Sequence, residues 1–319
     1  MRNFSVVSEF ILLGLSDDAQ VQALLFVAFL VIYVLTLTGN SMILLVIRVD
    51  AHLRSPMYFF LGHLSFLDLL YSSVSTPKML ENLVSETKTI PVKGCLAQAF
   101  FVFAIGGTEA LLLAVMAYDR YAAICHPLLY GQMMSDRFCQ VLVWGSWSLA
   151  ILNSLINTLL AVSLDFCHYG TIHNYNCEFP SLFPLSCSDV STNVTAIVLS
   201  FVIHASGTFL LVVCSYGCIF STILNMSSTR GRSKAFSTCS SHLTIVMLYF
   251  GSACLRYVMP TSGSPVETYF SLQYSVITPM LNPFIYSLKN KEVKTAMRKL
   301  LARCCQHFGD VDQRHRDKC

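Results

Sequence analysis

The sequence predicts an all-α membrane protein: a seven-transmembrane helix bundle with a short amphipathic C-terminal helix and its N-terminus outside. Composition points there first. Of 319 residues, 54% are hydrophobic and only 12% charged, with a mean hydropathy of +0.59, whereas soluble domains carry about 25% charge. Seven apolar runs follow, each of the length that crosses a bilayer as helix. They cover 24–49, 56–80, 96–124, 139–162, 194–224, 235–258 and 268–288. The third observation is where the cations fall. With the N-terminus outside, Arg2, Lys78, Lys88, Lys93 and Arg256 lie on the outer side and the other sixteen of 21 Lys and Arg on the inner. That asymmetry follows the positive-inside rule.

The chain reads as a single domain over 1–319, divided into an extracellular segment (1–23), the bundle (24–288) and a cytoplasmic tail (289–319). Continuous runs such as VAFLVIYVLTLTG exclude a β-barrel, whose strands would alternate apolar and polar. Segment 10–15 is too short and too poorly flanked for a cleavable signal, so the first span is expected to act as an uncleaved signal-anchor. Asn3-Phe4-Ser5 is a glycosylation sequon on the outer side. Asn193-Val194-Thr195 lies too near the membrane to be a good acceptor, and Asn225-Met226-Ser227 falls inside. The basic inner face favours anionic lipid over nucleic acid as a partner.

Of thirteen cysteines, Cys95, Cys167, Cys177 and Cys187 face outward. Four in an oxidising compartment suggest two disulfides with three possible connectivities. Their wide spacing argues against zinc, and no other metal or cofactor is expected apart from an ion at the buried acids below. In the tail, Val293, Met297, Leu300, Leu301 and Cys304 share a helical face opposite Lys291, Lys294, Arg298 and Lys299, the pattern of a helix lying on the inner leaflet. Cys304 and Cys305 then stand where palmitoylation would anchor it.

Ionisable residues inside spans are costly and mark function. Asp68 and Glu109 lie midway along the second and third spans, with Asn40 and Asn282 at comparable depth in the first and seventh. If these four converge they form a polar core able to hold a proton or a sodium ion, since two adjacent carboxylates cannot both ionise without a cation. Transporters show paired halves with broken helices and channels a filter or ring. Neither feature is visible, and no H-E-x-x-H, G-x-S-x-G or phosphate loop supports an enzyme. His63, His204 and His242 lie scattered on different spans. One pair remains: MAYDRYAAICHP, 116–127, places Asp119-Arg120 at the inner water boundary just before Pro127 ends the helix. An arginine there can bind its neighbour in one state and a partner's oxygen in another, which is a bistable element.

Taken together, PMYFFLGHLSFLDLLYSSVSTPKML (56–80), MAYDRYAAICHPLLY (116–130), Ser215-Tyr216, KAFSTCSSHLTIV (234–246) and PMLNPFIYSLKN (279–290) resemble, in that order, rhodopsin-like G-protein-coupled receptors, and more closely the olfactory receptors of tetrapods. The resemblance runs from Gly39-Asn40 into the tail. It implies an odorant receptor in the plasma membrane that activates a stimulatory-type olfactory G protein and raises cyclic AMP. Asp119, Arg120 and Tyr121 would form the switch at the G-protein face, with Tyr216 on the fifth span and Asn282, Pro283 and Tyr286 as the movable part of the seventh. Cys95–Cys177 and Cys167–Cys187 would be the disulfides.

Two departures stand out. Ala122 replaces the usual valine after D-R-Y, and the Phe-Tyr-Gly of the sixth span reads Tyr249-Phe250-Gly251, so the inward position is expected to lack a hydroxyl. The seventh span carries no lysine between 269 and 286, which excludes a retinal opsin. The outer third span carries no acid at 101–103, which excludes an aminergic receptor. The alternatives are a receptor for another small apolar ligand and, from another class, a membrane transporter or channel.

Helical stepping upward from Arg120 and Tyr216 predicts the pocket. Val102, Phe103, Gly106 and Gly107 come from the third span, and Ser200, Phe201 and His204 from the fifth. Phe250, Ala253, Cys254 and Tyr257 come from the sixth, and Tyr274 and Ser275 from the seventh. This lining is mostly apolar with no unpaired charge. It suits a small volatile aldehyde, ketone, ester or alcohol, with Tyr257 or His204 as its hydrogen-bond partner.

Overall fold

The computed structural model describes residues 7–167, 170–258, 265–290, 292–300 and 302. Long helices begin where the sequence supplies a start signal. Asp18 caps α1 (Ala19–Val49) by accepting from the Gln20 and Val21 amides at 2.8 and 3.1 Å, satisfying two donors that have no intrahelical partner. Ser55-Pro56 opens α2 (Pro56–Val84), with proline at the first helical position, where its missing N–H costs nothing. There follow α3 (Val92–Cys125), a short inner-loop turn α4 (Tyr130–Met133), α5 (Asp136–Val162), the loop turn α6 (Phe179–Leu182), α7 (Ser191–Leu224) and α8 (Thr229–Val258).

The seventh span is composite. It runs as α9 (Pro265–Leu272), a π-helical turn at Gln273–Ile277, and α10 (Thr278–Lys289), which contains Pro283. Residues 292–300 are helical again, with Val293 and Ala296 buried and Lys294, Arg298 and Lys299 exposed, as an interfacial helix requires. Asn3, Cys304 and Cys305 lie outside the described residues, as do the side chains of Ala253, Cys254 and Tyr257.

α3 is the central rod, packing against α2, α5, α7 and α8. Leucine and valine on the outward faces of α1, α5 and α7 remain exposed, as at Leu24, Leu159 and Leu210. In lipid those faces need no protein partner, and only helices satisfy their own backbone there. α1 approaches α10 closely because Gly39 carries no side chain: a Cβ there would come within 3.0 Å of the Pro283 ring. Gly107 plays the same part between α3 and α5, where an added Cβ would meet Ala150 at 3.2 Å.

At the outer end the chain forms a small three-stranded sheet that helical periodicity could not disclose. β1 (Glu9–Leu12) lies between β2 (Thr89–Pro91), antiparallel, and β3 (Thr171–Ile172), parallel. Segment 10–15, read from sequence only as too short for a signal, therefore starts with a strand. It buries Phe10 and Leu12 against Ile90, Phe179 and Leu185. Gly170 fits beneath Phe10, where any Cβ would meet the ring at 2.7 Å.

Two disulfides fasten the loop above the bundle: Cys95–Cys177 to the start of α3, and Cys167–Cys187 within the loop. Asn193 is buried in the first turn of α7, which disqualifies that sequon sterically.

Candidate functional site

The cavity at the outer end is lined from α2, α3, α5, α7, α8, the seventh span and the loop between α5 and α7. It measures about 120 Å³, close to the ~150 Å³ of an apolar cavity that admits benzene. α3 contributes Val102, Phe103, Gly106 and Gly107, α7 contributes Ser200, Phe201 and His204, and Phe250 and Tyr274 complete the predicted residues found there. Gly106 is the one with room in front of it: an added Cβ would sit 3.6 Å from Tyr249 Oη and 4.0 Å from Tyr71.

Two expectations need correction. Ser275 is not on the cavity wall. It is fully buried, hydrogen-bonded to the Tyr175 hydroxyl and donating to the Ser271 carbonyl at 2.7 Å. The π turn that holds both Tyr274 and Ser275 breaks the 3.6-residue stepping used to place them. Second, the sixth span does present a hydroxyl inward, since Tyr249 lines the cavity beside Phe250 and donates to the Gly106 carbonyl at 2.5 Å. The lining also contains an acid, which the sequence reading had not placed there. Glu178, next to the disulfide cysteine Cys177, is buried in the roof and accepts from Ser271 at 2.8 Å and from the Tyr274 hydroxyl. Tyr71 and Asn153 also face the cavity and were not anticipated.

Cys177 delivers Glu178 to its place. The disulfide holds that residue to α3, and the Cys177 amide donates to Gln98 Oε1 at 2.9 Å. On the opposite wall Ser200 donates to Asn153 Oδ1 at 2.7 Å and accepts from Asn157 at 3.1 Å, fastening α7 to α5. His204 Nδ1 lies 3.0 Å from the Ser200 carbonyl. A carbonyl only accepts, so the proton is on Nδ1 and Nε2 is an acceptor.

Below the cavity, Asn282 donates to both oxygens of Asp68 at 3.0 Å. Asn40 donates instead to the carbonyls of Thr36 and Pro279, both at 3.0 Å, which ties α1 to the seventh span. Glu109 is buried near enough for its charge to act on Asp68, and its Oε1 has no hydrogen-bond partner among the described residues. No cluster of three metal-ligating side chains occurs among the described residues.

At the inner end a crevice of about 1090 Å³ opens between α2, α3, α8 and α10. Arg120 and Asp119 line it, both largely buried and paired side chain to side chain. The second Asp119 oxygen accepts from the Tyr130 hydroxyl at 2.7 Å. Burial and the neighbouring Asp119 carboxylate hold the Tyr130 phenol above its usual range, so it stays a donor. Tyr121 turns along the inner face to His126 Nε2 at 2.9 Å. Tyr216 meets His242 Nδ1 at 2.7 Å, joining α7 to α8, and the Tyr286 hydroxyl faces the crevice without a partner among the described residues.

Tyr130 closes the sequence motif but had been given no role. Removing its hydroxyl leaves Asp119 one donor short, and a hydrogen bond to a charged group contributes about 1.5–3 kcal/mol. Tyr130→Phe is therefore expected to raise ligand-independent signalling roughly tenfold, read as basal second messenger at matched surface level. An unchanged baseline would mean that Tyr130 does not restrain the switch.

A family model described as olfactory receptor matches residues 29–304. Olfactory receptor 8S1 of Homo sapiens is 63% identical over 292 residues, 92% of this chain and 81% of that protein. Olfactory receptor 5AP2 of Mus musculus is 48% identical over 302 residues, 94% of this chain and 95% of its own. Among solved structures, squid rhodopsin superposes with a TM-score of 0.71 over 90% of this chain and 87% of that one at 16% identity, a likeness of fold. The chain belongs to the olfactory receptor family: it is a seven-helix, G-protein-coupled odorant receptor of the plasma membrane and not an enzyme.

Proposed function

We propose that a small, mainly apolar volatile occupies the outer cavity and drives a stimulatory-type G protein at the inner crevice, raising cyclic AMP. The observation that carries this reading is the pairing of two spaces along α3. One is small, largely apolar and roofed by the disulfide-held loop. The other is large and polar, with Arg120 on its wall. Between them Asn282 and Asp68 join the seventh span to α2, and Pro283 in α10 removes one backbone donor. That segment is the element whose movement would couple the two ends, with Asn282, Pro283 and Tyr286 as its working residues.

The 16-to-5 distribution of cations supports an arrangement with the N-terminus outside and the tail inside, the single domain then dividing at 23/24 and 288/289. Asn3 is then the glycan acceptor and Cys304 and Cys305 the palmitoylation candidates. Asp68 and Glu109 share a proton or hold a sodium ion, because two buried like charges cannot both persist unpaired.

The test is an odorant panel read as cyclic AMP in cells with and without the stimulatory Gα subunit. Responses that vanish with that subunit support the reading. Responses that persist without it, or that appear as ligand-gated ion flux, contradict it.

A further inference from the structure

We infer that Tyr175 and Glu178, which flank Cys177 in the outer loop, grip the π-helical turn of the seventh span and so restrain signalling in the ligand-free receptor. The inference rests on the reading that the seventh span couples the two ends, and it names what fixes that span from above.

Side-chain hydrogen bonds cross from the loop to Ser271, Tyr274 and Ser275. Tyr175 Oη meets Ser271 Oγ at 3.2 Å and also Ser275 Oγ. Glu178 accepts from Ser271 at 2.8 Å and from the Tyr274 hydroxyl. Both serine protons are already placed, that of Ser271 on Glu178 and that of Ser275 on the Ser271 carbonyl. Each serine therefore meets Tyr175 as an acceptor, and Tyr175 is the donor. Tyr175, Glu178, Ser271 and Ser275 are all buried, where such bonds are electrostatically stronger than in water.

The loop is the fixed side of this grip. Cys177 is bonded to Cys95, and its amide donates to Gln98 Oε1 at 2.9 Å. Gln98 Nε2 donates in turn to the Val74 carbonyl at 3.0 Å, which joins α3 to α2. The Tyr175 ring packs in one buried cluster with Met79, Leu83 and Val276.

The turn is the movable side. The Thr278 amide and hydroxyl both close on the Gln273 carbonyl five residues back, so the turn holds one residue more than an α turn. Regularising it would advance the helix beyond by one residue, about 100° around its axis. Asn282, Pro283 and Tyr286 would be carried with it, and Asn282 would leave Asp68. Two packings of one segment make an element that can switch. Glu178 and Tyr274 also line the cavity, so a ligand there bears on the grip directly. Tyr175 does not line the cavity and acts on the turn alone, as a positioning residue.

The experiment uses the full chain at matched surface level and reads ligand-independent cyclic AMP. Tyr175→Phe keeps the buried ring and deletes the hydroxyl, and is expected to raise that baseline about fivefold, the size of one lost hydrogen bond. Ser275→Ala removes an acceptor of the same proton and should move the baseline the same way. The double variant should stay within about twofold of Tyr175→Phe alone, because the two changes break a shared bond. A residue that only stabilises the fold would lower the surface level and leave the signal per receptor unchanged. A baseline that is unchanged or lower in both single variants, or effects that add in the double variant, would overturn the inference. Should Tyr175→Phe fail to reach the surface, Ser275→Ala decides by the same criterion.

Asn282→Ala, below the turn, separates this failure from that of the underlying reading. Where it alters signalling and the loop and turn variants do not, the grip alone is wrong. Where none of the three alters signalling, the seventh span does not couple the two ends and both fall.

Discussion

Arg120→Ala is expected to abolish agonist-driven cyclic AMP, a fall of at least about a hundredfold, while the receptor still reaches the surface and still binds ligand. Arg120 is the cation on the wall of the inner crevice beside Asp119, and its guanidinium is paired with that carboxylate, with Nε at 2.9 Å. Removing the arginine does two things at once. It takes away the donor that a partner's carbonyl or carboxylate would engage, and it leaves Asp119 buried with Tyr130 alone. Breaking a buried pair by deleting one member costs about 3–5 kcal/mol, so basal behaviour will also change. The cavity lies fourteen residues up the same helix, about 21 Å at 1.5 Å per residue, so ligand contacts are untouched. Concentration–response curves at matched surface expression are the measurement. A full response from the variant would show that Arg120 is no more than a depth-setting residue.

Much of the architecture could be read from composition because lipid imposes a simple rule: a spanning segment must be apolar over its length. α1, α3, α5 and α7 are each long and apolar enough to meet that rule unaided. α2 buries Ser65, Asp68, Ser72, Ser75 and Thr76 on its inward face, and α8 opens with the cluster Arg230, Arg232 and Lys234. Their spans, 56–80 and 235–258, were nevertheless read from sequence as apolar runs of spanning length. The outer sheet was invisible for the opposite reason. Strands of two to four residues are too short to establish a period, and their partners are distant in sequence.

The same contrast runs through the site. Residues on straight helix, such as Val102, Gly106 and His204, fell where a 3.6-residue step put them. Ser275 did not, because the π turn at Gln273–Ile277 alters the angle each residue advances, and nothing in QYSVI announces such a turn. Glu178 was missed because it belongs to a loop. A covalent tether, Cys95–Cys177, fixes where it goes, and its adjacency to Cys177 was the available signal. Tyr249 was discounted on a transposition of two aromatic residues, yet the cavity is wide enough for both Tyr249 and Phe250 to reach it.

The central claim is that a small molecule in the outer cavity produces a signal at the inner crevice. Gly106→Leu tests it most directly. Gly106 faces the cavity with Tyr249 Oη and Tyr71 at ordinary contact distance from a Cβ built there, so a leucine enters without first displacing backbone. Its four carbons would then take up most of a space of about 120 Å³. A ligand would have to overpack that space, at a typical cost of about 1–3 kcal/mol for each misfit and more where nothing can move. The measurement is agonist potency in cyclic AMP at matched surface level, with direct stimulation of adenylyl cyclase as the control for the downstream pathway. The account predicts a loss of potency of at least about a hundredfold with the direct stimulation intact, whereas an unchanged concentration–response curve would contradict it.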